Sequence, residues 1–127
     1  MKNMHVYIDE ELGKSRRKGE KDIKDCITKA FARVEADWVN TARTAFHAGY
    51  PHAARVGACA LVAVIIDNKL YVANAGDSKA ALIRQNGDEF ERVKVSKTFN
   101  ANKKYEQERL RDKFKGEKDV VICKRGG

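Results

Sequence analysis

Two neighbouring apolar stretches, residues 57–66 (GACALVAVII) and residues 70–84 (LYVANAGDSKAALIR), constrain the fold of this chain more than any other feature. Both are short and rich in β-branched and aliphatic residues, which is typical of strands. The second stretch is interrupted at residues 74–78 (NAGDS), where Gly76 permits a tight reversal and the Asp and Ser side chains can bind backbone N–H groups. The pattern predicts strand, turn, strand, and it places the carboxylate of Asp77 at the end of a sheet, where metal or phosphate chemistry can lie.

The same pattern predicts a small antiparallel sheet. Residues 58–66 are apolar almost throughout, which in so short a strand predicts burial on both faces. Residues 67–69 (DNK) are a tight connection, and residues 85–88 (QNGD) contain the Asn-Gly pair that is the strongest hairpin signal in the chain. Three further strands are predicted from the remaining runs: residues 70–75, 80–84 and 90–95. The four strands are expected to form one antiparallel β-meander.

One long helix is predicted over residues 22–46. Apolar side chains recur there at intervals of three and four residues and form one stripe: Ile23, Ile27, Ala30, Phe31, Val34, Trp38, Ala42 and Ala45. Gly49 and Pro51 are expected to end this helix. A second, highly charged helix is predicted over residues 103–114, followed by a short strand at residues 120–123. The predicted fold class is α+β, with an antiparallel β-meander packed against a long helix.

The N-terminal part of the chain is predicted to lie outside this domain. Residues 1–12 show a short apolar alternation at Val6 and Ile8, and residues 13–21 (GKSRRKGEK) are a polar, basic run that contains two glycines. We therefore expect an N-terminal segment and basic linker over residues 1–21 and one domain over residues 22–127. The basic cluster Arg16, Arg17 and Lys18 is interpreted as a solvated loop, with a localisation patch as the alternative.

Charge and cysteine content narrow the function classes. The chain carries 26 Lys and Arg against 18 Asp and Glu, a net charge of +8 that favours anionic partners. Arginines do not alternate with aromatic residues as in single-strand binders, so a nucleic acid partner is not expected. The three cysteines are far apart and form no Cys-x-x-Cys pair, which predicts neither disulfides nor structural zinc: Cys26, Cys59 and Cys123.

Cys59 lies inside an apolar run, and we expect it to be a small buried hydrophobic residue. Because the longest apolar run, residues 58–66, is about half the length that a bilayer requires, no membrane partner is expected. The expected location is the cytoplasm, with the nucleus as the alternative.

Residues 57–60 (GACA) and residues 70–80 (LYVANAGDSKA) resemble the signature of the metal-dependent PPM (PP2C-type) serine/threonine protein phosphatases, which is GSTA followed by LYVANVGDSRA. Residues 30–38 are similar to the helix that precedes the first of these strands, and residues 108–110 (ERL) are similar to the family's Glu-Arg-Ile helix. The likeness covers most of the chain after Ile27. It implies roughly half of the family's α-β-β-α sandwich.

The resemblance also implies a chemistry. In this family two Mn²⁺ or Mg²⁺ ions between two β-sheets activate a water that attacks phosphorus directly, since hard dications take oxygen ligands and lower the pKa of a bridging water. Asp77 matches the family's Gly-Asp-Ser aspartate, which lies near the metal centre and is implicated in a further, weaker metal position. It is the one residue to which the resemblance transfers a metal role. The alternative is that Asp77 caps a tight turn.

The chain departs from the family pattern at several positions. The main metal-binding turn, Asp-Gly-His, does not occur in the sequence, and neither do counterparts of the later metal-ligand aspartates. Ala58 and Cys59 stand where the family usually has serine and threonine, and Lys79 stands where it has arginine. Residues 98–99 (TF) replace a common Asp-His pair. The resemblance therefore transfers no catalytic residue.

Two functions remain open, with a basic nucleic-acid-associated protein, which rests on charge alone, as a weaker third. One carboxylate cannot hold two metal ions, and Asp67 and Asp88 are predicted at hairpin turns far from Asp77. The first hypothesis is a partial phosphatase domain for phosphoprotein substrates, catalytically incomplete as given and binding Mn²⁺ or Mg²⁺ weakly by itself. The alternative is a non-catalytic pseudophosphatase or interaction subunit, which would form a homo- or hetero-oligomer through an exposed sheet.

Overall fold

The computed structural model describes residues 3–15 and 19–122, and the fold of these residues is α+β as predicted. The helices are α1 (Met4–Lys14), α2 (Glu20–His47) and α3 (Lys104–Lys113), with a 3₁₀ helix at Pro51–Arg55. The strands are β1 (Ala60–Ile66), β2 (Lys69–Ala75), β3 (Ala81–Asn86) and β4 (Glu89–Lys94). The predicted long helix, second helix and four strands are confirmed, with ends shifted by one or two residues.

Helix α2 is the element against which the core is built. At its start the backbone N–H of Gly19 donates to Asp22 Oδ2 (3.2 Å), so a first-turn carboxylate holds the chain at the helix entry. Ile23, Ile27 and Ala30 from the predicted stripe are buried. Their spacing places them on one face, which covers β1 and β2.

Helix α1 was not predicted, and the alternation at Val6 and Ile8 does not indicate a strand. Tyr7 and Ile8 are buried against Ala30 of α2, and neighbouring side chains of β1 complete the cluster. Arg33 of α2 binds two consecutive glutamates of α1: Nη2 lies 2.7 Å from Glu10 Oε2 and Nη1 lies 2.7 Å from Glu11 Oε1. The segment predicted to precede the domain thus packs on its long helix, while the division at residue 21 stays a prediction.

The strands form two antiparallel hairpins, β1–β2 and β3–β4, each a two-stranded sheet, which corrects the expectation of one continuous meander. In the first hairpin Ile66 pairs with Lys69, so the connection has two residues. Asp67 and Asn68 both adopt positive φ (48° and 60°), as a type I′ turn requires. The two-residue connection fixes the register of the hairpin. Because side chains alternate between the faces of a strand, Val62, Val64 and Ile66 then lie on the face that packs against the helices.

The prediction that β1 is buried on both faces is wrong. Burial alternates along the strand, because α1 and α2 cover one face and no described element covers the other. Leu61, Ile65 and Leu70 are exposed, with Ile65 at 75%. We call the side chains of Leu61, Ile65 and Leu70 the outer face of the first hairpin.

The second hairpin lies outside both apolar clusters, and almost all of its residues are exposed. The strand predicted at residues 120–123 is not formed at residues 120–122, of which 120 and 121 make bends, and Cys123 lies outside the described residues. Arg16, Arg17 and Lys18 also lie outside them. In the described part of the chain, no helix combines the length and the apolar character needed to cross a bilayer.

Candidate functional site

The Gly-Asp-Ser turn lies at the C-terminal end of β2, as predicted, and two other segments meet it there. Because Ala60 pairs with Ala75, Cys59 stands opposite Gly76. Residues 96–100, which follow β4, return to the same point: the backbone N–H of Phe99 donates to Gly76 O (2.8 Å). We call this site, formed by Cys59, Asn74, residues 76–78 and residues 96–100, the Asp77 corner.

Gly76 is required at this corner for two independent reasons. Its φ is +110°, a conformation that residues with a Cβ rarely adopt. A Cβ built on it would also lie 2.4 Å from Cys59 Sγ and 2.8 Å from Cys59 Cβ. The close approach of Cys59 to the turn is therefore possible only with glycine at position 76.

Asn74 holds the turn in place. Its Nδ2 lies within hydrogen-bond distance of three backbone carbonyl oxygens, so one of its two N–H groups is shared between two acceptors: Gly76 O (3.1 Å), Ser78 O (3.0 Å) and Lys97 O (2.8 Å). The first two belong to the turn and the third to the segment that returns from β4. One side-chain amide thus ties together two chain segments that are far apart in sequence, while Asn74 Oδ1 is buried without a hydrogen-bond partner among the described residues.

The carboxylate of Asp77 is exposed and makes two side-chain hydrogen bonds. The thiol of Cys59 donates to Oδ1 (3.4 Å), and Asn100 Nδ2 donates to Oδ2 (3.0 Å). Within the described parts of the chain, these bonds go to side chains of other segments and none goes to the backbone of its own turn. The cap interpretation of Asp77 is therefore not supported.

Cys59 is exposed, so the prediction that it is a buried hydrophobic residue is wrong. It directly precedes β1, at the edge of the sheet and outside the apolar core. The residue that the sequence analysis missed is Asn100. Its Oδ1 accepts from the backbone N–H of Asn102 (2.9 Å), an Asx turn that orients the amide towards Asp77. The Asn-x-Asn pattern at residues 100–102 was the available signal.

Helix α3 supports the returning segment. Lys97 Nζ lies 5.4 Å from the ring centre of Phe99 and 5.5 Å from that of Tyr105, and the Tyr105 hydroxyl donates to Thr98 O. Glu106 is buried and receives two hydrogen bonds from Arg109. The hydrogen bond from Arg109 lowers the pKa of Glu106, although burial opposes the shift. The ionised carboxylate therefore stabilises this pair within α3 at neutral pH, and the contribution is lost as the pH falls below 4.5 and through the lowered pKa of Glu106.

The donor set of the described residues does not fit a two-metal centre. Asp77 is the one carboxylate at the corner, whereas Asp67 and Asp88 lie in the connections of the two hairpins. In residues 3–15 and 19–122 no three His, Cys, Asp or Glu side chains come close enough together to hold a metal ion. Asp77 thus offers one carboxylate at this corner, which is fewer than a two-metal centre requires.

Comparison with known proteins shows the family of this chain. A family model described as protein phosphatase 2C matches residues 2–118. The chain is 32% identical over 126 residues to probable protein phosphatase 2C 78 of Oryza sativa subsp. japonica, covering 98% of this chain and 30% of that protein. It is 37% identical over 103 residues to probable protein phosphatase 2C 64 of Arabidopsis thaliana, covering 79% of this chain and 25% of that protein.

A third relative, probable protein phosphatase 2C 48 of Arabidopsis thaliana, is 31% identical over 124 residues, which are 96% of this chain and 30% of that protein. The chain therefore spans less than a third of the length of these curated relatives. No solved structure matches it.

Proposed function

Because the chain belongs to the protein phosphatase 2C family, we propose that it supplies part of a metal-dependent serine/threonine phosphatase domain and does not hydrolyse phosphoproteins by itself. Asp77 is proposed as its contribution to the metal site. Mn²⁺ or Mg²⁺ would be held chiefly by ligands outside this chain, and the substrate class is a phosphoprotein.

The observation that carries this proposal is the position of Asp77. Its carboxylate is exposed at the end of a strand, and both of its oxygens are oriented by side chains that reach it from other segments, Cys59 and Asn100. A hard dication binds carboxylate oxygens that are preorganised in this way. A single carboxylate is one ligand, however, and two ions that share a bridging water need several. The geometry thus supports a ligand role for Asp77 and incomplete catalysis.

The experiment is a phosphatase assay on the purified chain with Mn²⁺ present. We expect no Mn²⁺-dependent release of p-nitrophenol from p-nitrophenyl phosphate above the level of Asp77→Asn, because the described residues provide one metal ligand where the chemistry needs several. A phosphoserine peptide serves as the second substrate. Turnover that requires Mn²⁺ and is abolished in Asp77→Asn would show that the chain is catalytically complete and would overturn the proposal.

A second candidate, a non-catalytic interaction subunit, is supported by the outer face of the first hairpin. Leu61, Ile65 and Leu70 place three large apolar side chains on a sheet face that no described element covers. An apolar sheet face of this kind is typical of a surface that packs against another polypeptide. The function would then be to dock within a larger assembly, as a homo- or hetero-oligomer.

The outer face can be tested through the oligomeric state. We expect the chain alone to self-associate in sedimentation velocity and Ile65→Lys to shift it towards the monomer, because the charge replaces an apolar side chain that is 75% exposed. The matched control is Ile83→Lys in the second hairpin, where the isoleucine is 57% exposed. Equal effects of the two substitutions would contradict a specific role for the outer face.

A further inference from the structure

Strand β2 has an open edge beside a groove. It pairs with β1 on one side, and no described strand pairs with it on the other. The groove has a volume of about 780 Å³, with residues 69–74 of β2 as one wall and α2 as the other, through Lys24, Thr28 and Phe31. We call it the β2 groove. A strand edge of this kind presents backbone N–H and C=O groups that another extended chain can pair with.

The walls of the β2 groove suit the inward side chains of an added strand. Ile27 is buried in the floor, Phe31 is half-buried, and Tyr71 lies against both in one apolar cluster. Leu70 and Val72 stand on the opposite face of the strand. An incoming strand therefore meets apolar surface with both sets of its alternating side chains, which favours β-branched residues.

The mouth of the groove carries charges of both signs: Lys24 and Lys69 line it together with Glu20, and the charge of Asp67 also raises the pKa of Lys69. Lys69 Nζ lies 2.7 Å from Glu20 Oε1, and this hydrogen bond raises the pKa of Lys69 and lowers that of Glu20. Lys24 also lowers the pKa of Glu20, through its charge and without an ion pair. Lys24 is exposed and makes no ion pair within the described residues. The mouth thus retains a cation that can receive an acidic side chain.

We infer that the β2 groove binds an extended acidic segment of another polypeptide, which adds to β2 as a further strand with an Asp or Glu carboxylate beside Lys24. A second copy of this chain is a poorer occupant of the groove, since its 26 Lys and Arg against 18 Asp and Glu offer fewer carboxylates to Lys24 than an acidic segment does. The groove ends at Asn74, the residue that holds the Asp77 corner. One end of the bound segment would therefore lie near that corner. The inference concerns binding alone and does not depend on hydrolysis.

The test is fluorescence anisotropy with the full chain and a labelled eight-residue peptide of alternating threonine and valine with two glutamates at one end. We expect saturable binding that Lys24→Glu weakens about fivefold or more, because the charge beside the glutamates is reversed. N-methylation of alternate peptide residues is expected to weaken binding about tenfold or more, because it removes backbone donors to the strand edge. The comparison with the N-methylated peptide requires no change to the protein.

The matched control is Lys29→Glu, which makes the same charge change elsewhere on α2, in a surface groove that Glu11 and Cys26 also line. We expect it to leave binding unchanged, and Thr28→Trp to block it by filling the groove. Absence of saturable binding, or equal effects of Lys24→Glu and Lys29→Glu, would overturn the inference. So would a dimer of the parent chain that Thr28→Trp dissociates, because the groove would then hold a second copy.

Discussion

Gly76→Ala is expected to lower the free energy of unfolding by about 3 kcal/mol, one of the two largest effects that we expect from a single substitution in this chain. Two penalties combine. The backbone at position 76 has a φ of +110°, and the added methyl would lie 2.4 Å from Cys59 Sγ. Neither the strand end nor the residue opposite can move freely, because Ala60 and Ala75 are paired beside them. Urea unfolding followed by circular dichroism measures the change.

Gly87→Ala is the matched control for this effect. Gly87 also has a positive φ (+64°), but no atom lies within 4 Å of the position of its Cβ. We expect a loss of about 1 kcal/mol there, from backbone conformation alone. In a double-mutant cycle, Cys59→Gly should restore about 2 kcal/mol of the Gly76→Ala loss by removing both the Sγ and the Cβ contact. Equal losses for Gly76→Ala and Gly87→Ala would contradict the close packing at the corner.

Asn74→Asp is expected to have an effect of similar size, about 3 kcal/mol, although the two side chains have the same shape. The amide donates to three carbonyl oxygens, and a carboxylate would instead present an acceptor to Gly76 O, Ser78 O and Lys97 O. Lost hydrogen bonds and repulsion between oxygens then act together. The free energy of unfolding measured in urea at neutral pH gives the size of the loss.

The pH dependence separates this cause from a general loss of packing. Facing carbonyl oxygens, the introduced carboxyl group is expected to have a raised pKa in the folded state, since only its protonated form can donate. The stability lost in Asn74→Asp should therefore become smaller as the pH is lowered and larger as the pH rises. Gln85→Glu is the control, because Gln85 Nε2 donates to one carbonyl, Gly87 O (3.1 Å), in an exposed hairpin. We call the hydrogen bonds of Asn74 to its three backbone carbonyl oxygens the clamp. A loss of stability in Asn74→Asp that does not change with pH would contradict this role of Asn74.

Local sequence signals predicted most of the elements because those elements obey local rules. The three- and four-residue spacing from Ile23 onwards fixed α2 to within two residues, and Asn86-Gly87 marked the second hairpin. Helix α1 was missed because Val6 and Ile8 fit an alternating strand, whereas the residues that pack are Tyr7 and Ile8 together with Leu12. Four-residue spacing from Ile8 to Leu12 was the better signal.

Burial was harder to predict because it depends on which layers are present. An apolar strand between two layers and one beneath a single layer have similar compositions, so the exposure of Ile65 and Cys59 could not be read from their neighbours. At the site, the position of Asp77 followed from its turn. Its partner Asn100 is 23 residues away, and that contact requires the return of the chain after β4.

The clamp made by Asn74 has a consequence for how this family can diverge. The turn is held by an amide and by backbone carbonyls, so its shape does not depend on any charge carried at its tip. A lineage that stops performing chemistry can then lose the acidic group at the cost of two side-chain hydrogen bonds, from Cys59 and Asn100, while the bonds of Asn74 keep the shape of the turn. Inert descendants that retain an intact corner are the outcome to expect from such an architecture.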